Sequence, residues 1–184
     1  MADRTYQLRT RIRRLVERLE KDRRGATAIE FSMLAIPFAM LAFAILESTV
    51  SFTAEEVINR AASKLGRQFQ TGQLTAANTD ETTFRNLLCN EISIMVGGGC
   101  PELVYDLQNY TSFAAVPTSL PIDLTGDIDV TGFGYNVGGA GTINSLRVFY
   151  RWPVMTDMLK AHMSNLPDNK TLLYATVTWK NEGF

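Results

Sequence analysis

The chain has 184 residues, 46% of them hydrophobic and 20% charged, with a formal net charge of −1. That length holds one domain with a real apolar core, and the composition excludes collagen-like, low-complexity and wholly disordered classes. The near-zero net charge hides a strong asymmetry. Residues 1–24 hold nine basic side chains against four acidic ones, a balance of +5, while the other 160 hold nine against fifteen, a balance of −6.

A basic arm of this kind can bind nucleic acid, but the apolar segment after it argues against that. Residues 5–21 have helix-forming composition, with Leu8, Ile12, Leu15 and Leu19 on one face. This predicts a short basic amphipathic helix, suited to an anionic membrane surface or simply solvated. Residues 25–54 contain no Lys, Arg, Asp or His, and Glu30 and Glu47 are the only charges. Between those glutamates lie sixteen uncharged residues, which as a helix reach about 24 Å. A hydrocarbon core is about 30 Å thick, so the neutral residues 48–54 are expected to supply the missing length. The competing reading is a core helix of a soluble protein. The basic flank favours a membrane span with residues 1–25 inside and residues 55–184 outside.

The helical pattern continues beyond the span through Val57, Ala61, Leu65 and Phe69. One long helix over residues 26–69 is therefore expected, kinked at Pro37 and weakened near its end by Gly66. A polar link over 71–79 leads to a second helix capped by Asp80 or Thr79 and carrying Phe84, Leu87, Leu88 and Ile92. It is expected to run to Val96 and stop at Gly97, Gly98 and Gly99. Short alternating runs come next. Leu146, Val148, Tyr150 and Trp152 read as one face of a strand, and Leu173, Ala175, Val177 and Trp179 as another. Residues 103–107 and 128–133 are weaker strand candidates, and the glycine-rich stretch 132–141 reads as an exposed loop. Helices first and strands afterwards indicate an α+β fold, an antiparallel sheet packed on the long helix.

Cys89 and Cys100 both lie in the part placed outside. They form no Cys-x-x-Cys pair, and His162, the single histidine, completes no zinc site with them. A disulfide in an oxidising compartment is the simplest account, with two separate buried thiols as the alternative. His162 is expected on a short surface helix. The 132–141 glycines lack the lysine and hydroxyl residue of a phosphate loop. Asp123, Asp127 and Asp129 miss the spacing of a calcium loop. The Asn-x-Thr triplets at Asn109 and Asn169 are short matches that mean little if the cell is bacterial. No catalytic residue, metal ligand or cofactor-binding residue is therefore expected, and no enzymatic activity.

The segment Arg-Arg-Gly-Ala-Thr-Ala-Ile-Glu-Phe, residues 23–31, resembles the leader junction of type IVb-like pilins of the tight-adherence system. The run ending Ile45-Leu46-Glu47 resembles the TadE-like branch, the minor pilins or pseudopilins, where a second glutamate closes the span. Residues 177–184 are similar to that family's terminal strand, with Gly183 where proline is common. The resemblance implies a pilin-like fold and cleavage by a prepilin peptidase between Gly25 and Ala26, with Glu30 and Phe31 as assembly residues. It implies partners in other pilin and minor pilin subunits, an inner-membrane assembly platform and the lipid bilayer. It also implies a role in a surface-adherence pilus, and no nucleic-acid partner. The residues support the junction independently. A glutamate within a membrane helix costs about 2.5–3.5 kcal/mol near the centre unless paired, and cleavage creates an amine at Ala26 able to pair with Glu30. The rival readings are a secreted protein cut after Ala44, since Ala42-Phe43-Ala44 fits small-x-small, and an uncleaved single-span envelope protein with a periplasmic ligand-binding or sensor domain.

Overall fold

The computed structural model describes residues 25–183. The basic helix expected over 5–21 and the arginines preceding Gly25 lie outside the described residues. Helix α1, Ala26–Gln70, runs 45 residues and passes through Pro37 without interruption. Hydroxyls inside it bond back to carbonyls one turn earlier, Ser32 Oγ to Ala28 at 2.8 Å and Thr53 Oγ1 to Thr49 at 2.8 Å, so they add no unmet polar group to the helix surface.

The chain divides into two compact units, one up to Ile45 and one from Leu46 onward. The first holds the apolar half of α1. Phe31, Leu34, Phe38 and Phe43 are all largely exposed there, and the helix is long and apolar enough to cross a membrane. A single membrane-spanning segment fits this half. A helix apolar on all sides needs lipid or other helices around it.

The second unit is the packed domain. Helix α2, Glu81–Ile92, starts at the Asp80 cap, whose carboxylate accepts from the Thr83 amide at 2.8 Å. Strands β1 (Leu103–Tyr110), β2 (Ile143–Pro153) and β3 (Lys170–Lys180) form an antiparallel sheet in the order β1-β2-β3. A short helix α3, Asp157–Met163, connects β2 to β3. The register lines up Leu107, Leu146 and Val177 in one row, and Tyr105, Val148 and Ala175 in the next. These rows face the α1 stripe of Ala54, Ile58, Ala61, Leu65 and Phe69, with Phe84 and Leu88 of α2 closing the same core. The expected α+β architecture, a long helix carrying an antiparallel sheet and a second helix, is therefore what the chain adopts. The other sheet face carries a smaller cluster of Ile128, Phe149, Leu166 and Leu172.

Four local expectations change. Helix α2 ends at Ile92 rather than Val96. The Ser93 hydroxyl bonds to Asn90 O, and the Met95 and Val96 amides both return to Ile92 O, which turns the chain back toward Cys89 early. Residues 128–133 are no strand; Ile128 makes one isolated bridge to Ile122. Asp127 and Asp129 there accept backbone amides from Ile128 and Thr131, a local bonding pattern that competes with a ladder. The 132–141 stretch is only partly exposed. Leu107 donates to Gly134 O at 2.9 Å and accepts from the Asn136 amide at 2.7 Å, so this stretch covers part of the β1 edge, with Tyr135 and Val137 against the core. Gly66 is not a weak point but a close contact. A Cβ there would stand 3.2 Å from both Trp179 Cζ3 and Val177 Cγ1, so the glycine lets sheet and helix approach.

The packed domain also takes in helix residues that precede Glu55. Ser51 and Ala54 are buried in it.

Candidate functional site

The residues of the expected cleavage junction sit at the start of α1. The helix begins at Ala26, and a Cβ on Gly25 would meet nothing within 4 Å. Gly25, Ala26, Glu30 and Phe31 are all exposed. Ala26 and Glu30 are four residues apart on a helix, hence on one face. Among the described residues nothing buries the junction, which lies in the first described turn of α1.

Cys89 and Cys100 are joined, with a Cα–Cα distance of 5.8 Å and a sequence separation of 11. Cys100 is fully buried and adopts φ +45°, following Gly99 at φ +82°. Both sit in the left-handed region that disfavours ordinary side chains. Arg85 on α2 braces the same turn, donating to Cys100 O at 3.0 Å and to Leu103 O at 3.1 Å. The bond therefore ties the end of α2 to the start of β1, and the two-thiol alternative falls.

Two polar anchors that the sequence does not disclose hold the ends of the domain. At one end the Glu47 carboxylate accepts from the Met155 amide and, at 3.2 Å, from the Thr156 amide. Thr156 precedes α3 as its N-cap. Ser48 Oγ reaches Met163 Sδ at 3.8 Å. At the other end Asn181 is buried, accepts from Trp179 Nε1 at 2.8 Å, and donates to Gly138 O and Gly139 O at 2.8 and 2.9 Å. The next amide, Glu182, closes onto Gln70 O at 2.9 Å. The Asn-Glu pair near the C-terminus is thus a latch on the end of α1.

A third polar centre lies on the outer sheet face. Asp106, almost fully buried, receives Arg147 at 2.7 Å and the Gly134 amide at 3.1 Å. The Arg147 guanidinium also lies 5.3 Å from the centre of the Phe133 ring. These contacts pin residues 132–136 to the sheet; breaking one partner would leave a buried charge.

Asp123 accepts from Thr125 N, Thr125 Oγ1 and Asp127 N, and the Thr125 hydroxyl above all lowers its pKa. Asp127 is engaged by Arg151 at 2.6 Å. Their oxygens are committed to turns and an ion pair, and among the described residues no group of three or more His, Cys, Asp or Glu is placed to hold a metal. His162 is exposed on α3. Tyr105 and Tyr135 are each pushed up to about 12, by burial first and then by Glu81 for Tyr105 and by Tyr105 for Tyr135. Tyr135 donates its hydroxyl to Thr79 O at 2.8 Å, a bond that needs the neutral phenol. Tyr105 lines an open groove with Glu81 and Arg85.

No protein-family model matches the chain, and no curated protein or solved structure matches it.

Proposed function

We propose that this chain is a TadE-like minor pilin. A prepilin peptidase cuts it between Gly25 and Ala26, α1 holds it in the inner membrane with the sheet domain in the periplasm, and it then serves biogenesis of a tight-adherence pilus. One observation carries the reading. The packed domain claims α1 from Glu47 onward, burying Ser51 and Ala54. Lipid is left with the residues before it. The uncharged run 31–46 reaches about 24 Å as a helix, whereas residues 26–46 reach about 31 Å, close to the thickness of a hydrocarbon core.

Spanning the bilayer thus draws Glu30 into the inner edge of the span, where an unpaired carboxylate is costly. Cleavage after Gly25 supplies a cationic amine at Ala26, one turn away or on a neighbouring subunit, and that pair is stabilising in a low-dielectric bundle. Among the described residues Gly25 and Ala26 are exposed, which is consistent with access by a peptidase. The disulfide is consistent with an oxidising compartment.

The test is the N-terminal sequence of the mature protein, with and without the peptidase and for Gly25→Arg. The expected result is Ala26 first, with no processing of the variant. A first residue at Ile45 would indicate ordinary signal peptidase, and one in the initiator region an uncleaved anchor. Either would overturn the proposal.

A further inference from the structure

Two surfaces of the packed domain expose apolar side chains, and they lie on opposite sides of it. The first is the hairpin over residues 120–130, within the β1–β2 connection. Its base is fixed. Ile122 bridges Ile128, Ile128 packs with Phe149, Leu166 and Leu172 on the outer sheet face, and Asp127 meets Arg151 at 2.6 Å. Its turn is fixed as well, since Asp123 accepts from the Thr125 and Asp127 amides and donates its own amide to Asp127 O at 2.8 Å. Leu124 stands in this braced turn wholly in solvent, at 107% exposure, and Leu120, Ile122 and Val130 of the same hairpin are exposed too. Apolar groups gathered in solvent on a rigid support mark an interaction site.

The second surface is a groove of about 380 Å³ on α1, lined by Thr49, Phe52, Thr53, Glu56, Val57 and Arg60. Phe52, 70% exposed, supplies most of its apolar lining. Ser51, Ala54, Ile58 and Ala61 of the same turns are buried against the sheet, so helical spacing turns the groove away from the sheet. At its rim Arg60 bonds Glu56 through Nε at 2.9 Å, which leaves the terminal nitrogens for another carboxylate. In the hairpin, exposed Asp129 accepts the Thr131 amide through Oδ1 alone.

The layers of the domain therefore run groove, α1, sheet, hairpin. Both surfaces also lie toward the end of the sheet where β2 finishes and β3 begins. Arg151 and Leu172, which hold the hairpin, pair two rungs short of that end, and Glu47 meets it just before the groove starts. Copies stacked front to back, with these α1 segments parallel, bring the hairpin of one level with the groove of the next.

We propose that this chain associates with a second copy of itself head to tail, the Leu124 tip of one copy entering the Phe52–Val57 groove of the other, with Asp129 toward Arg60. The two surfaces differ, so the contact is heterologous and passes from copy to copy rather than closing a symmetric pair. Glu56 offsets part of the Arg60 charge, so the ion pair sets the register and the apolar tip carries the contact. One leucine tip falls far short of the roughly 1,000 Å² of a self-sufficient interface; dilute copies stay apart and crowded copies join. The contact uses residues of the packed domain only and rests on neither cleavage nor the span.

The test uses the full chain, disulfide intact, concentrated in detergent. Ser119→Cys beside the hairpin and Ser63→Cys three residues beyond Arg60 replace exposed side chains next to the contact. The two variants are mixed and treated with a flexible bismaleimide. The expected result is a dimer linked from 119 to 63 in the mixture, with no linked dimer from either variant alone. Adding Leu124→Ser to the first variant, or Phe52→Ser to the second, should lower the yield about tenfold. Ile94→Ser, which also removes a largely exposed apolar side chain, should leave it unchanged. A linked dimer from the Ser119→Cys variant alone means a symmetric tip-to-tip contact and overturns the proposal. An equal loss with Ile94→Ser means non-specific apolar association and overturns it too, as does a 119–63 link that is absent or indifferent to Leu124→Ser.

Discussion

Reducing the Cys89–Cys100 bond tests how the domain's first half is held. The bond closes a loop of separation 11, and the chain-entropy relation for such a loop gives about 2.8 kcal/mol at 25 °C. The Arg85 bonds to Cys100 O and Leu103 O involve neither sulfur, so the native turn is expected to persist on reduction and the loss to come from the unfolded state. For a domain of this size, that corresponds to a fall in Tm of roughly 10 °C. Thermal and urea unfolding of the oxidised protein, the reduced protein and Cys89→Ala can be followed by Trp152 and Trp179, both buried. Cys89 is the better position to replace, because Cys100 is fully buried and its replacement would add a packing cost. Reduced protein and Cys89→Ala should agree within about 1 kcal/mol. A difference between oxidised and reduced protein below about 0.5 kcal/mol would refute the reasoning, since Arg85 alone would then hold the turn. In combination, Arg85→Ala should cost more in reduced than in oxidised protein.

Three further outcomes are expected. Gly66→Ala should destabilise by about 1 kcal/mol despite the helix-propensity gain, because Trp179 is pinned by Phe69 and Asn181 and cannot yield to a Cβ at 3.2 Å; stabilisation in urea unfolding would contradict this. Glu30→Gln and Glu30→Ala should leave insertion and cleavage intact but abolish incorporation into a pilus, followed by surface-shear preparations; normal assembly of both would remove Glu30 from the mechanism. Tyr105 and Tyr135, held up to about 12 when folded against an ordinary value of about 10, keep protons that the unfolded chain releases. Their contribution to stability should thus be constant from neutral pH to about pH 10 and be lost as pH rises toward 12, read by urea midpoints beside phenolate absorbance. A midpoint unchanged between pH 9 and 12 would show that these phenols are not protected.

The sheet is legible because its strands obey a simple period. Leu146, Val148, Tyr150 and Trp152 face one core and Arg147, Phe149 and Arg151 the other side, as alternation requires. The same period misleads at 128–133, where Ile128 and Val130 alternate with aspartates. The available signal is Asp-x-Thr, present at 123–125 and again at 129–131, where each carboxylate accepts the amide two residues on. At Gly66, local propensity records only the cost to the helix; the benefit is a contact with residues more than a hundred positions away. Glu47 marks the end of the apolar run in the sequence, yet its partners Met155 and Thr156 lie 108 and 109 residues distant. Nothing local marks them. Asn181 and Glu182 stand out in the sequence through resemblance alone, and their physical role, a latch on Trp179 and Gln70, comes from the fold.

The start of the packed domain is itself testable. Along α1, Glu56, Arg60, Lys64 and Arg67 are exposed while Ala54, Ile58, Leu65 and Phe69 are buried, a one-sided helix that needs no lipid. This pattern extends back to Ser51, and the Glu47 bonds extend the domain further still. A fragment beginning at residue 46 keeps all of these contacts and places Glu47 in the first turn of the helix, where a negative charge is favoured. It should fold in water as a monomer. A fragment beginning at residue 55, the boundary read from charge alone, discards Ala54, Ser51 and the carboxylate that meets Met155 and Thr156. Losing charge-assisted hydrogen bonds costs about 1.5–3 kcal/mol, and the lost apolar burial adds roughly 1 kcal/mol. The shorter fragment should therefore be less stable by about 3 kcal/mol, and its amides at 155 and 156 should lose hydrogen-exchange protection while those of β2 retain it. Equal stability of the two fragments would show that Glu47 and Ala54 belong to the membrane helix after all. Residues 47–54 would then be free to face lipid, and the reason for drawing Glu30 into the span would disappear.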